Sequence, residues 1–305
     1  MSEFEFVDAP ERVAELAEEF LAEPVVAVDT EADSFYHYFD KTCLVQVSTS
    51  KHSYLIDTLA FDGPEAMAPL APVFSSPDCQ VLFHAAEYDI YVLKRDYGYT
   101  FANVFDTMIS AQLLGYSAVG LAAIIEHHFN IKVPKDEQRS DWSRRPLTEK
   151  QLTYAVGDVL YLSRLAKKLE RELKKAGRME WAQEDFDTLC QRQWPDRTFD
   201  KQGYFRIKGA RKLDPKSLSV LKELFLMRDA RAREIDRPPF KVLGNRTLLE
   251  IAEDKPTKAS QLKNIKGITE LLVRRMGDDI LAAIDAGRSV DHPPIPKTTG
   301  TGRRR

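Results

Sequence analysis

The sequence lacks several features that mark secreted and membrane proteins. Its 305 residues include only three cysteines, Cys43, Cys79 and Cys190, which are isolated and form no CxxC pair. This usage excludes a disulfide framework and fits a reducing compartment. No stretch approaches the run of about 18 apolar residues that a membrane-spanning helix requires. The acidic start, MSEFEFVDAPERV, resembles neither a signal peptide nor a transit peptide. We therefore expect a cytoplasmic protein without membrane contact.

Positive charge is scarce in the first two thirds of the chain. Residues 1–210 carry 23 Lys and Arg against 34 Asp and Glu, a net charge of −11. Residues 211–290 carry 17 against 12, a net of +5, and residues 291–305 carry 4 against 1, a net of +3. An acidic body joined to a basic module indicates a catalytic part beside an anion-binding part. A chance imbalance between solvated faces is the alternative.

The hydrophobic pattern of residues 1–195 predicts a mixed sheet with helices packed around it, an α/β domain. The strand-like runs are PVVAVDTE, TCLVQVSTS, SYLIDTL and CQVLFHA. The segment 147–177 is the strongest helix of the chain. Thr148 and Gln151 form a capping box at its start, and Gly177 ends it.

The remainder of the chain divides into three segments. Residues 196–211 are rich in charge and glycine, which predicts a linker. Residues 212–292 show helical periodicity throughout and predict a compact all-helical domain. The end, residues 293–305, is rich in Pro, Gly and Arg, which predicts a disordered basic tail.

Acidic residues stand at conspicuous places in the predicted α/β domain. In VVAVDTEADS, Asp29 and Glu31 end a short apolar run. Alternate side chains of a strand point to the same face, so these two carboxylates lie roughly 6–7 Å apart on one face. Asp89 follows the strand VLFHA at the start of the next helix. Tyr154 and Asp158 are four residues apart on the long helix and therefore share a face.

Clustered carboxylates favour hard cations such as Mg²⁺ or Mn²⁺, which take oxygen ligands. Two such ions about 4 Å apart can activate an attacking water and stabilise the leaving oxygen of a phosphodiester. Without metal, the clustered acids should have raised pKa values, because like charges oppose ionisation. Either pair taken alone is common on solvated surfaces, so spacing by itself leaves that alternative open.

The order of the motifs resembles a known family. VDTEADS, FHAAEYDI and YAVGDVLYL resemble the three motifs of ribonuclease D and its relatives, the 3′–5′ exonucleases of the DEDD superfamily that carry a tyrosine in the third motif. FDTMISAQLLGY and QRSDWSRRPLTEKQLTYA are also similar to this family, so the resemblance covers residues 1–195. Residues 212–290, with the signature FLMRDARAREIDRPPFKVLGNRTLLEIAEDKP, resemble the HRDC domain of RecQ-type helicases and ribonuclease D. Many bacterial ribonuclease D enzymes carry two such domains, and this chain has room for one.

The resemblance implies a ribonuclease H-like mixed sheet with flanking helices, followed by a small all-α HRDC bundle. It implies a 3′–5′ exoribonuclease that uses two divalent cations, Mg²⁺ or Mn²⁺, and releases nucleoside 5′-monophosphates. The implied partner is RNA with a free 3′ end, such as a tRNA precursor, with the HRDC domain as the nucleic-acid-binding module. A DNA-directed 3′–5′ exonuclease and a catalytically silent nucleic-acid-binding protein are the alternatives.

The family roles can be assigned to individual residues of this chain. Asp29, Glu31 and Asp158 would hold one metal ion. Asp29 would bridge to the second ion, which Asp89 would hold partly through water. Tyr154 would orient the attacking water, because a phenol with an unperturbed pKa of about 10 is a poor base at neutral pH.

Further residues near the motifs are weaker candidates. His84 precedes the second motif and could reach the site, although a histidine at a strand end is often structural. Asp33 continues the alternation after Glu31, with a role in a loop or cap as the simpler interpretation. Other side chains could contact substrate phosphates or bases, with solvation or core packing as the alternatives: Lys41, Arg144, Arg145, Phe35, Tyr36 and Tyr38.

Overall fold

A computed structural model describes residues 4–194 and 198–290 of the chain. These residues form two compact units. The first contains the chain up to residue 194 without residues 36–39, and the second contains residues 36–39 together with 198–290. The predicted basic tail, residues 293–305, lies outside the described residues. Within the described ranges, no helix is both long enough and apolar enough to cross a membrane.

The first unit is built on a mixed sheet, as the sequence predicted. Its strands within the described residues are β1 (Phe4–Val7), β2 (Val25–Ala32), β3 (Thr42–Ser48), β4 (Ser53–Ile56), β5 (Gln80–Phe83) and β6 (Val104–Asp106). Their order is β1-β4-β3-β2-β5-β6. β3 is antiparallel to β2 and β4, and the other neighbours are parallel. β1 and β6 were not predicted from the sequence, and β6, with three residues, is too short to show a periodicity.

Helices surround this sheet. They are α1 (Pro10–Leu21), α2 (Ala71–Ser75), α3 (Glu87–Tyr97), α4 (Thr107–Leu114), α5 (Leu121–Phe129), α6 (Glu149–Leu160), α7 (Leu162–Ala176) and α8 (Met179–Gln191).

The single helix predicted over residues 147–177 is in fact two helices. Tyr161 separates α6 from α7, with φ −100° and ψ −7°. The apolar pattern continues through this position, so periodicity could not reveal the break. The capping box is confirmed: Thr148 Oγ1 accepts from the Gln151 backbone, and Gln151 Oε1 accepts from the Thr148 backbone. The end at Gly177, which has φ +65°, is also confirmed.

The two faces of the central strand β2 pack against different helices. Val28 belongs to a core cluster that includes α1, whereas Ala27 belongs to a cluster that includes the buried leucines of α7. Side chains alternate along a strand, so Asp29 and Glu31 share the face of Ala27. The carboxylates therefore point toward the side of the sheet on which α6 and α7 lie.

The end of β2 that carries the acids lacks a neighbour on one side. β5 pairs only with Val25, Val26 and Ala27 of β2, whereas β3 pairs with β2 from Ala27 to Ala32. Beyond Ala27, the β5 side of the strand therefore has no strand partner among the described residues. The chain that leaves β5 turns there into α3.

The second unit is all-helical, as predicted. It contains α9 (Pro215–Glu234), α10 (Pro239–Val242), α11 (Asn245–Asp254), α12 (Ala259–Leu262) and α13 (Glu270–Ser289). Buried aliphatic side chains from α9, α11 and α13 form its core. The close approach of α13 to α9 requires a glycine, because a Cβ at Gly287 would collide with the backbone of Val220.

Part of the predicted linker packs in the core of the second unit, namely Tyr204, Phe205, Ile207 and Ala210, while residues 198–202 are exposed. Tyr204 and Phe205 lie in a 3₁₀ helix, Gly203–Arg206, and their rings stack with centroids 4.2 Å apart. Tyr204 is fully buried. The charge and glycine content predicted a linker and gave no sign of this burial, because a single 3₁₀ turn is enough to bury two adjacent aromatic rings.

Candidate active site

Three carboxylates converge where β2 ends against α6. Oxygen atoms of Asp29, Glu31 and Asp158 all lie within 4.8 Å of one another. β2 supplies the first two acids from one face, and α6, which contacts β2, supplies the third. Glu31 is only 9% exposed. The three residues that the resemblance assigned to one metal ion are therefore neighbours in the folded chain.

Tyr154 lies one helical turn before Asp158, near enough for the charge of that carboxylate to act on its hydroxyl. The ring of Tyr154 is buried, with its centroid 6.0 Å from that of the fully buried Trp142. Burial, followed by the nearby charge of Asp158, raises the pKa of Tyr154 above its ordinary value. The phenol therefore stays protonated at neutral pH and can act as a hydrogen-bond donor.

Asp89 approaches the three acids from the first turn of α3. Its Oδ1 accepts a hydrogen bond of 2.6 Å from Thr30 Oγ1, and its side chain is buried. Thr30 lies between Asp29 and Glu31 in the chain. A residue of the first motif therefore fixes Asp89, the acid of the second motif. This role of Thr30 was not predicted, because a threonine in a strand carries no local signal for it.

These residues line one cavity of about 480 Å³ in the first unit. Asp29, Glu31, Asp89, Tyr154 and Asp158 all contribute to its walls. Several other wall residues were not among the predicted site residues, for example Thr30, Tyr88, Lys135 and Gln138. The volume falls within the range of about 300–1,000 Å³ that is typical of small-molecule sites.

Burial and mutual repulsion oppose ionisation of the four acids. Burial, with the charges of Asp89, Asp158 and Glu31 as further causes, raises the pKa of Asp29. Burial, together with the charges of Asp158 and Asp89, raises the pKa of Glu31. Burial also raises the pKa values of Asp89 and Asp158 to about 7 each. The predicted direction is therefore confirmed, but its main cause is burial, and like charge comes second.

Asp106 holds the turn that delivers the second motif. Its carboxylate accepts backbone hydrogen bonds from Ala85 at 3.2 Å and Ala86 at 2.7 Å, and it also caps the first turn of α4. Ala85 has φ +64°, a conformation that a residue with a Cβ rarely adopts. Four hydrogen bonds to a single buried carboxylate offset that strain, and they fix the direction in which α3 begins.

The weaker candidates are distributed differently. His84 lines the cavity, and burial lowers its pKa to about 4. Arg145 is structural, since it pairs with Asp57 through Nε at 2.6 Å and donates to the Cys43 carbonyl. Asp33 accepts from the Lys41 backbone at 2.8 Å, which fits the predicted role in a loop.

The cavity walls, as far as the structure describes them, do not include Lys41, Arg144 or Phe35. Tyr36 and Tyr38 belong to the second unit, where the Tyr38 hydroxyl donates to Asp229.

Comparison with known protein families agrees with this geometry. Residues 4–174 match the family model of the 3′–5′ exonuclease domain, and residues 217–284 match that of the HRDC domain. The first match covers the cavity and all five residues that the motifs predicted.

Individual relatives are similar over nearly the whole chain. Ribonuclease D of Pseudomonas paraeruginosa is 32% identical over 291 residues, which cover 92% of this chain and 75% of that protein. The catalytic core of RRP6 from Trypanosoma brucei superposes with a TM-score of 0.83 at 29% identity, covering 94% of this chain and 80% of that one. RNase D of Escherichia coli superposes with a TM-score of 0.75 at 27% identity, covering 94% and 76%.

These similarities confirm the predicted fold class, a ribonuclease H-like mixed sheet with flanking helices followed by an all-α HRDC bundle. The exonuclease match alone spans more than half of the chain. The chain therefore belongs to the ribonuclease D family of 3′–5′ exonucleases and carries an HRDC domain.

Proposed function

We propose that this protein is a metal-dependent 3′–5′ exoribonuclease that removes nucleoside 5′-monophosphates one at a time from RNA 3′ ends. The observation that carries the proposal is the convergence of three carboxylates within 4.8 Å, with Glu31 buried and Asp29 and Asp158 half-buried, in a chain of the ribonuclease D family. A partly buried cluster of like charges is destabilising by itself, and divalent cations would offset the repulsion.

The donor set fits such ions. All three clustered side chains offer carboxylate oxygens, the ligands that Mg²⁺ and Mn²⁺ prefer. Asp29, Glu31 and Asp158 would hold one cation, and Asp29 together with Asp89 would hold a second. When bound, the two cations would activate a water molecule and stabilise the leaving oxygen of the phosphodiester.

The other residues of the site orient the attacking water or hold the acids in place. Tyr154 would donate from its hydroxyl to orient the attacking water, since its raised pKa excludes a phenolate at neutral pH. Thr30 keeps Asp89 in one orientation through its hydrogen bond. Asp106 fixes the turn before α3, so that the acids of the first and second motifs stay at a constant separation.

The substrate and its capture follow from the family and from charge. RNA is the proposed substrate, and tRNA precursors are the proposed class, because that is what the resemblance implies. The second unit would bind the body of the RNA, since residues 211–290 carry a net +5 while residues 1–210 carry −11. A cytoplasmic location is proposed on the three free cysteines, two of them buried.

A single assay tests the proposal. Strands of RNA and DNA with the same sequence, labelled at the 5′ end, are incubated with the full chain in Mg²⁺, Mn²⁺ or EDTA, and the products are resolved by length. We expect a ladder shortened from the 3′ end, faster loss of RNA than of DNA, and no reaction in EDTA. A full reaction in EDTA would contradict the metal requirement, and equal rates on both polymers would contradict the RNA preference.

A further inference from the structure

His84 is held in the cavity wall by a hydrogen-bond chain that fixes its tautomer. The ring nitrogen Nδ1 lies 2.9 Å from Thr107 Oγ1, and the same hydroxyl donates to the Phe83 carbonyl oxygen at 3.0 Å. A hydroxyl has a single hydrogen, and a carbonyl can only accept. Because Thr107 donates its hydrogen to Phe83, its oxygen must accept from His84. Nδ1 therefore carries a hydrogen.

The second ring nitrogen follows from the first. Burial lowers the pKa of His84 to about 4, so the ring is neutral at pH 7 and carries only one N–H. With that hydrogen on Nδ1, Nε2 presents a lone pair. Among the described residues, no group hydrogen-bonds to Nε2, although the side chain lines the cavity beside the carboxylates. The wall thus offers a fixed, neutral acceptor.

The chemistry of this acceptor limits what it can bind. Phosphate oxygens are themselves acceptors and would be repelled by the Nε2 lone pair. Metal ligation by Nε2 is not indicated, since Mg²⁺ and Mn²⁺ prefer oxygen ligands, whereas imidazole suits ions such as Zn²⁺. The substrate group that fits Nε2 is therefore a hydrogen-bond donor.

A nucleotide offers donors of two kinds. Donors on the base differ among A, C, G and U, so a wall that accepted from the base would favour some sequences over others. The ribose hydroxyls are donors that all four ribonucleotides share, and the 2′-hydroxyl is what distinguishes RNA from DNA. The ribose of the terminal nucleotide is joined directly to the scissile phosphate, so it must lie in the same cavity as the acids.

We propose that Nε2 of His84 accepts a hydrogen bond from a ribose hydroxyl, 2′ or 3′, of the 3′-terminal nucleotide, which makes His84 a specificity-determining residue. The inference rests on the proposed exoribonuclease function and names the sugar contact within it. Thr107 is a positioning residue, since it acts on the substrate only by fixing the ring of His84.

The test uses four versions of one RNA oligonucleotide that differ only in the last sugar. The terminal nucleotide carries both hydroxyls, only the 3′-hydroxyl, only the 2′-hydroxyl, or neither. The kcat/KM of the full chain is measured for each oligonucleotide in Mg²⁺. Removal of the hydroxyl that His84 binds should lower kcat/KM by roughly 2- to 13-fold, the range for a neutral hydrogen bond, and the pattern identifies which hydroxyl is bound.

Two substitutions of His84 distinguish the role of the Nε2 acceptor from that of the ring as a whole, and one substitution of Thr107 tests the tautomer. His84→Asn keeps an N–H near the position of Nδ1 for Thr107 but has no atom at the position of Nε2, so it should lose the discrimination between sugars. His84→Gln places an amide oxygen near Nε2 and should recover part of it. Thr107→Val removes the hydrogen bond that fixes the tautomer, so it should lose part of the discrimination between sugars. The matched control is His127→Asn, at an exposed histidine of α5, which should leave all four rates unchanged.

Each outcome bears on the inference. If His84→Asn slows all four substrates by one common factor, His84 is only structural and the proposal is overturned. If the variant discriminates between the sugars as well as the unmodified protein does, the proposal is overturned as well. Failure of the exoribonuclease proposal looks different, because the unmodified protein would then not degrade the all-ribose strand.

A spectroscopic measurement does not depend on activity. Histidine side-chain ¹⁵N correlations of the full chain, assigned with the His84→Asn variant, report the tautomer directly. We expect a protonated Nδ1 and an unprotonated Nε2 for His84 at pH 7, and a mixture of tautomers in Thr107→Val. A protonated Nε2 in the unmodified protein would overturn the inference even if a variant failed to fold.

Discussion

The acids of the cavity in the first unit and two acids of the second unit, Asp214 and Asp236, are held in opposite ways. In the first unit, burial raises the pKa values of Asp29 and Asp158. In the second unit, hydrogen bonds from Ser217 at the start of α9 lower the pKa of Asp214 to about 2, and hydrogen bonds led by the Phe39 backbone lower that of Asp236. Ionised Asp214 and Asp236 therefore support the fold of the second unit. Ionised Asp29 and Asp158 oppose folding of the first unit, and a positively charged ligand would offset that cost.

The largest effect should come from removing one of the clustered charges. Asp29→Asn and Asp158→Asn keep the shape of the side chain but remove a charged metal ligand. We expect turnover of RNA to fall by at least about 10²–10³-fold, the scale of losing one group that stabilises the transition-state charge. Mg²⁺ affinity, measured by calorimetry, should fall as well. Near-normal exonuclease activity in either variant would refute the assignment of the site.

A smaller effect should follow from the loss of the Tyr154 hydroxyl. Tyr154→Phe keeps the buried ring, so folding should be unaffected. A general acid or base contributes about 10²–10⁴-fold, and a hydroxyl that only orients water should contribute less, about 10–10²-fold. Metal affinity should stay nearly unchanged, which separates Tyr154 from the acids. Loss of metal binding together with activity would show that Tyr154 supports the ligands instead.

The contrast in charge between the units predicts a division of labour that salt can measure. Exposed cations of the second unit with no ion pair in the described residues, such as Arg246, Lys266, Arg274 and Arg275, can be changed to Gln without touching the core. Binding of long RNA should weaken, and the slope of log K against log salt should fall by about 0.7 for each phosphate that the variant no longer neutralises. Turnover of a short oligonucleotide should change little.

Two other outcomes would assign the second unit a different role. Removal of residues 198–305, which takes the buried rings of Tyr204 and Phe205 away with the helices that cover them, gives the stronger version of the same test, run beside a thermal melt. An unchanged RNA affinity and salt slope would point to a protein partner as the ligand of this unit. A lower melting temperature with loss of activity on short strands would point to a role in stability.

The smallest effects concern stability, and they should have opposite signs in the two units. Asp158 has a pKa of about 7 in the folded chain against about 4 when unfolded, so its ionisation removes stability as pH rises from about 4 to about 7. In EDTA, Asp158→Asn should therefore melt higher than the unmodified protein at pH 8, and the difference should shrink as the pH falls toward about 4. A variant that melts lower at pH 8 would contradict the unfavourable burial.

Asp214→Ala is the counterpart in the second unit. It removes the side-chain cap of α9, where Oδ1 accepts from the Ser217 backbone at 2.9 Å. Loss of such a cap costs about 0.5–2 kcal/mol. The lowered pKa means that this stability is fully present above about pH 4 and is lost as pH falls through about 2. The melting temperature of the variant should be lower at both pH 5 and pH 8, and a loss confined to pH 8 would contradict the cap.

Much of the fold and of the site was predictable because the signals are local. Alternation in β2 and the four-residue spacing in α6 placed Asp29 with Glu31 and Tyr154 with Asp158, and the structure brings these pairs and Asp89 into one cavity. The capping box at Thr148 was predictable for the same reason, since its partners are three residues apart. Where the signal was weak or ambiguous, prediction failed, as in the three-residue β6, the break at Tyr161 and the buried ring of Tyr204.

The sequence by itself determined which residues carry the chemistry and which elements they occupy, because side-chain type and backbone periodicity are properties of a short segment. Only the tertiary structure decided the state of those residues. The pKa of Asp158 depends on how far β2, α3 and α6 exclude water, and the tautomer of His84 depends on Thr107, 23 positions away. Such contacts leave no periodic trace in the sequence, since burial and hydrogen bonding between distant segments arise only once the chain has folded.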